Sequence, residues 1–224
     1  MKPNLKTIRA PVQLSRQARN RIMQVGTFGE TAARCIGPLR PSCEIYGFTK
    51  GQFSCIDIVA HCLQETGPAD IVACTWSAAA GDIEALKRFF DNGNIRKIKF
   101  LVDYSFESRK PHFATYLIDR LGYENIRVSM THAKFILITN EKWNLVIRTS
   151  MNFNHNPRFE NYEISDDKEF AEFHMAIIDE IWSRQDAAQG FEQRPQDNKD
   201  QFKKTFQRQG SIFNEDLSDA RDLM

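Results

Sequence analysis

Between Thr131 and Asn154 the chain reads THAKFILITNEKWNLVIRTSMNFN, with four polar side chains bracketing two apolar runs. His132 and Lys134 enter the first run, and Ser150 and Asn152 leave the second. Side chains alternate faces along a strand, so residues two apart share one. Two neighbouring strands would therefore bring all four groups to one spot beside an apolar core. There an imidazole can act as nucleophile or carry a proton, while ammonium, hydroxyl and amide groups bind phosphoryl oxygens and spread their charge. Glu160, eight residues beyond Asn152, falls within reach from a third strand and can fix the tautomer and orientation of His132. Each residue alone has an ordinary structural reading, since Ser-x-Asn often caps a turn and a lone Lys is usually solvated. Their joint order is what singles them out. No carboxylate cluster accompanies them, so the chemistry requires neither a metal nor another cofactor.

The elements that must position these groups follow from periodicity. Ile56, Val59, Ala60 and Leu63 recur at helical spacing, and Thr66-Gly67-Pro68 stops that helix. The segments 70–77, 97–103 and 125–130 read as strands, separated by helices over 82–90 and 111–121. Such alternation predicts βαβ units and a parallel-rich sheet. The pattern then changes: Phe135–Ile138 and Trp143–Thr149 form a hairpin, Phe159–Ile164 a further strand, and 166–184 a helix with acids in its first turn. The prediction is an α/β fold, a mixed β-sheet flanked by helices.

Composition narrows the class. The 224 residues are 42% hydrophobic and 26% charged with a net charge of +1, which gives no global field toward nucleic acid or anionic lipid. The charge is uneven, however: Lys2, Lys6, Arg9, Arg16, Arg19 and Arg21 precede any acid. We read residues 1–44 as an extended basic arm suited to phosphate contacts, with a short helix near Leu14–Met23. Residues 45–185 form the folded domain, and 186–224 a polar, flexible tail in which Phe202, Phe206 and Phe213 can anchor a protein partner. Five cysteines without a CxxC pair suit free thiols in a reducing, cytoplasmic compartment. With no apolar run near membrane-spanning length, no membrane association is expected.

The His132-Ala133-Lys134 and Thr149-Ser150-Met151-Asn152 segments, followed by Phe159-Glu160-Asn161, resemble the phospholipase D superfamily. The family pattern is His-x-Lys, four residues, Asp, then Gly-Ser-x-Asn. Here Thr149 replaces the Gly, Thr139 stands where the pattern has Asp, and the interval from His132 to Asn152 is three residues longer. The resemblance spans about residues 45–185, with its specific part in 131–163.

That resemblance implies a metal-independent phosphodiesterase working through a phosphohistidine, most simply a nuclease. His132 would attack phosphorus, Lys134 and Asn152 bind the oxygens, Ser150 position them, and Glu160 orient His132. Only one His-x-Lys occurs, so a second histidine must come from another copy, which implies a homodimer with a shared site. Strand-end residues Trp76, Ser77 and Tyr104, with Arg109, His155 and Arg158 on loops, are expected to contact the nucleic acid. The alternative is a catalytically inactive fold that binds nucleic acid or serves assembly, suggested by Thr139, the longer hairpin, the arm and the tail.

Overall fold

The computed structural model describes residues 22–25, 30–109, 111–155 and 157–187. In chain order these carry β1 (Ile22–Val25), α1 (Ala32–Ile36), β2 (Glu44–Thr49), α2 (Cys55–Thr66), β3 (Ala69–Thr75) and α3 (Ala80–Asp91). Then come β4 (Ile95–Asp103), α4 (Ser105–Arg109), α5 (Pro111–Leu121), β5 (Ile126–Ser129), β6 (Phe135–Thr139), β7 (Asn144–Thr149), β8 (Glu160–Asp166) and α6 (Lys168–Arg184). The strands form one eight-stranded sheet in the order β1-β2-β8-β7-β6-β3-β4-β5. The β3-β4-β5 and β1-β2 pairs are parallel, and the centre from β2 through β8, β7 and β6 to β3 is antiparallel. The expected mixed α/β architecture is what forms.

Local chemistry accounts for the boundaries. Asp57 accepts from the backbone N–H of Ser54 at 2.7 Å in a capping box that starts α2, and Gly67 at φ +73° ends it. Asp167 caps α6 by accepting from Phe170 N at 3.1 Å. The β6–β7 turn is closed by Asn140, whose Oδ1 accepts from the N–H groups of Lys142 and Trp143 at 2.9 and 3.0 Å.

Alternation sorts the sheet residues into two cores. Ile71, Phe100, Ile136, Ile147 and Tyr162 join α2, α3 and α5 on one face. Val72, Cys74, Leu101, Leu137 and Val146 meet Ala171, Ile178 and Ile181 of α6 on the other. Burying such a side chain contributes about 1.5–3 kcal/mol, so the central strands are fixed from both sides.

The folded unit begins earlier than the sequence suggested. Ala32, Cys35, Ile36, Leu39 and Cys43 are buried, and α1 is capped by Thr31 Oγ1, so residues 30–43 pack onto the folded unit through these positions. Met23 lies in β1, not in a helix, and residues 14–21 fall outside the described ones. The strand β2 escaped notice because Gly47 interrupts its pattern. That glycine is needed: a Cβ there would lie 2.4 Å from the ring of Tyr162. Phe202, Phe206 and Phe213 also lie outside the described residues. Among the described residues no helix is long and apolar enough to cross a membrane, and the five cysteines are buried and unbridged.

Candidate active site

One edge of the sheet collects the ends of β2, β3, β4 and β7 and the beginnings of β6 and β8. The register puts Cys74 opposite Phe135, Phe135 opposite Arg148, Thr149 opposite Tyr162, and Thr49 opposite Glu160. Open α/β sheets characteristically gather binding groups beyond such strand ends.

His132 and Lys134 sit in the connection just before β6, held from beneath by groups absent from the sequence reading. Asp103, buried at the end of β4, accepts from the N–H of Thr131 at 3.0 Å and from the N–H of Ser105 at 3.0 Å. Thr131 Oγ1 in turn accepts from Ala133 N at 3.2 Å, a local side-chain turn that fixes the path through His132. The Cys74 thiol donates to the Ala133 carbonyl at 3.5 Å. Burial pushes that thiol up to about 11, so it remains an S–H near neutrality.

Lys134 folds back over its own loop. Its Nζ donates to the carbonyl of His132 at 2.9 Å and faces His132 Nδ1 at 3.3 Å. Burial lowers the ammonium below the usual lysine range, while Glu160 and Cys74 act in the opposite direction. His132 is exposed, with the Trp76 ring centroid 5.4 Å away.

The second half of the site hangs on β7 and β8. Ser150 Oγ donates to Glu160 Oε2 and accepts from Asn161 N at 3.0 Å. Thr149 Oγ1 donates to the Asn161 carbonyl at 2.7 Å and accepts from Met151 N at 3.0 Å, so the residue in place of glycine pins the turn to β8. Asn152 Oδ1 accepts from Thr75 Oγ1 at 3.3 Å, which leaves its amide N–H groups to donate outward. The chain then closes against β3 through Phe153 N to the Ser77 carbonyl, 3.2 Å.

The structure thus brings His132, Lys134, Ser150, Asn152, Glu160 and Trp76 to one edge. Glu160 reaches Ser150 and stands near Lys134; the group facing Nδ1 of His132 is Lys134 itself. Ser77 is buried, and its carbonyl serves the chain. Tyr104 packs partly buried against the core. His155 and Arg158 are exposed on the loop before β8. Arg109 ends α4, and its side chain lies outside the described residues. Sequence reasoning missed Thr75, Asp103 and Thr131, whose only signal is a polar residue at a strand end, and also Arg148, Glu163 and His174. Those last three line a cleft of about 470 Å³ that opens from Lys134 and Ser150.

Thr139 lies at the far end of β6, paired with Asp70 and Asn144. It is five strand rises from Lys134, roughly 17 Å. The β6–β7 turn closed by Asn140 lies at that same far end.

No family model matches the sequence, and no curated protein matches it. Solved structures similar in backbone include the following three. A polyphosphate kinase from Porphyromonas gingivalis shares 15% identity at a TM-score of 0.45, covering 64% of this chain and 26% of its own. NucT from Helicobacter pylori shares 15% identity at 0.45, covering 62% of this chain and 96% of its own. A phosphatidylserine synthase from Haemophilus influenzae Rd KW20 shares 12% identity at 0.45, covering 78% of this chain and 46% of its own. The chain therefore spans about a quarter of the kinase and under half of the synthase. At these identities and scores the likenesses assign this chain neither an activity nor a substrate.

Proposed function

We propose that this chain is a metal-independent phosphodiesterase of phospholipase D type, a nuclease that acts as a homodimer. The observation that carries the reading is the convergence of His132, Lys134, Ser150, Asn152 and Glu160 at one sheet edge, from three separate chain segments. An ammonium and an amide supply the positive and donating groups that phosphoryl oxygens need.

When a phosphodiester binds, Lys134 turns its ammonium from His132 to the phosphoryl oxygens. The imidazole then carries its proton on Nδ1, with Glu160 as acceptor, and presents the Nε2 lone pair. Nε2 attacks phosphorus, the bond to the leaving oxygen breaks, and that oxygen takes a proton from His132 of the partner subunit. The same partner imidazole next removes a proton from water. The water oxygen attacks phosphorus, the P–N bond breaks, and His132 and a phosphate monoester are released. Asn152 holds an oxygen throughout, and Ser150 keeps Glu160 in register.

The test is incubation of the wild type and His132→Ala with single- and double-stranded DNA and RNA in EDTA, with sedimentation alongside. Cleavage by the wild type alone, from a dimer, is expected. Binding without cleavage in both proteins would overturn the enzyme and favour the non-catalytic nucleic-acid-binding alternative. A monomer that cleaves would overturn the shared site.

A further inference from the structure

The cleft beside the catalytic edge continues over the α6 face of the sheet, and its composition is unusual for a solvated surface. Its floor is Arg148 of β7 with Asn161 and Glu163 of β8. One wall is α6, where His174 packs its ring 4.9 Å from Phe135 and 4.6 Å from Phe170. Beyond this lining the same sheet face continues onto β2. Tyr46 pairs with Glu163 and Phe48 with Asn161, so both rings project from the same face as the floor.

These rings form a ladder with one open end. Tyr46 and Phe48 meet edge to face at 5.2 Å, and Phe159 stacks on Phe48 at 4.8 Å with 12° between planes. Phe159 is 65% exposed, the most exposed large hydrophobic among the described residues, and it immediately precedes Glu160. A flat aromatic ring left in water at one end of a stack is a stacking platform.

Arg148 supplies the complementary charge. Its Nη2 donates to Glu163, its guanidinium lies 5.0 Å over the Phe170 ring, and its side chain is 43% exposed. Among the described residues no hydrogen bond from Nη1 to a protein group is made, so the held fork keeps a free end. An anchored guanidinium with donors to spare suits a phosphate.

We propose that this groove takes a single-stranded nucleic acid. A base beside the cleaved phosphodiester stacks on Phe159, and a neighbouring phosphate meets Arg148. The assignment rests on the phosphodiester-cleaving reading of His132 and Lys134, with which the groove is continuous through Lys134 and Ser150. A duplex keeps its base faces within its own stack and cannot offer one to Phe159. An acyl chain would meet a charged floor.

The experiment compares KM for a single-stranded oligonucleotide with KM for an abasic phosphodiester chain of equal length, in wild type, Phe159→Ala, Phe159→Trp and Arg148→Gln. The wild type should favour the base-bearing chain. Phe159→Ala should raise its KM about tenfold, collapsing the ratio of the two KM values, and Phe159→Trp should restore it. Arg148→Gln should flatten the dependence of log affinity on log salt by about 0.7. That variant removes the Arg148–Glu163 ion pair; should it fail to fold, the exposed Phe159 series still decides. A KM ratio unchanged in Phe159→Ala, with cleavage intact, overturns the platform while the phosphodiesterase stands. A wild type that cleaves neither chain overturns both. Loss of the dimer on sedimentation of Phe159→Ala would make the ladder an interface between copies, and the proposal would fall.

Discussion

Replacing Asp103 by alanine removes a side chain that never faces substrate, yet it should disable the site. Its carboxylate accepts from the N–H of Thr131 and that of Ser105, each at 3.0 Å. Thr131 is buried, so its N–H would lose its partner without gaining water, at about 2 kcal/mol; the half-buried Ser105 adds about 1. A loss near 3 kcal/mol in a domain of this size lowers Tm by about 6–12 °C. The segment released is the one that aims His132, and misplacing a reacting group by about 1 Å costs roughly a hundredfold in rate. Asp103→Asn keeps one oxygen acceptor and should fall between. The assay is calorimetry paired with kcat on a 4-nitrophenyl phosphodiester, measured well below the lower Tm. Wild-type kcat in a destabilised Asp103→Ala would refute the claim that this carboxylate positions His132.

Four other substitutions have signs fixed by the structure. Burial lowers the Lys134 ammonium, so the rate should fall on the alkaline side below the ordinary lysine value of 10.5, and Lys134→Arg should move that limb upward. Since charging Lys134 is disfavoured in the folded state, Lys134→Met should raise Tm at neutral pH while cutting kcat about a hundredfold or more. Burial first, then Asp57, pushes Asp82 up from 3.8 to about 6, against the pull of His155. A carboxyl raised on folding destabilises once ionised, so stability falls as pH rises from about 4 through 6. Asp82→Asn should then gain up to about 3 kcal/mol at pH 8 and nothing at pH 3, read by denaturant midpoints. Gly51 sits at φ +88°, and a Cβ there would lie 2.5 Å from Pro157 Cα. Gly51→Ala should therefore cost about 1–3 kcal/mol and slow cleavage, because the loop between Asn152 and Glu160 must move. An unchanged Tm would contradict that packing.

The residues show why part of this was legible in sequence and part was not. Helices α2, α3, α5 and α6 and strands β3 to β8 announced themselves because each carries either helical apolar spacing or a continuous buried run between turn residues. His132, Lys134, Ser150 and Asn152 were visible because strand ends are marked by a change from apolar to polar. The strand β2 was hidden by Gly47, whose missing side chain is explained only by Tyr162 on a strand more than a hundred residues later. Asp103 and Thr75 act through long-range partners, and nothing in local pattern distinguishes them from ordinary strand-end polar residues. The aromatic ladder likewise depends on the β2–β8 register, which periodicity alone does not supply. Thr139 looked like a defect in one dimension and proves to be at the opposite edge in three.

The central claim is a covalent bond to one histidine. A 4-nitrophenyl phosphodiester has a good leaving group, so in the proposed mechanism the intermediate should form faster than it is hydrolysed and the adduct should accumulate. The protein is quenched during turnover in EDTA and its peptides are weighed. A phosphoryl adduct on His132 is expected in the wild type, and none, with no turnover, in His132→Asn. Turnover by His132→Asn, or an adduct on any other residue, would contradict it.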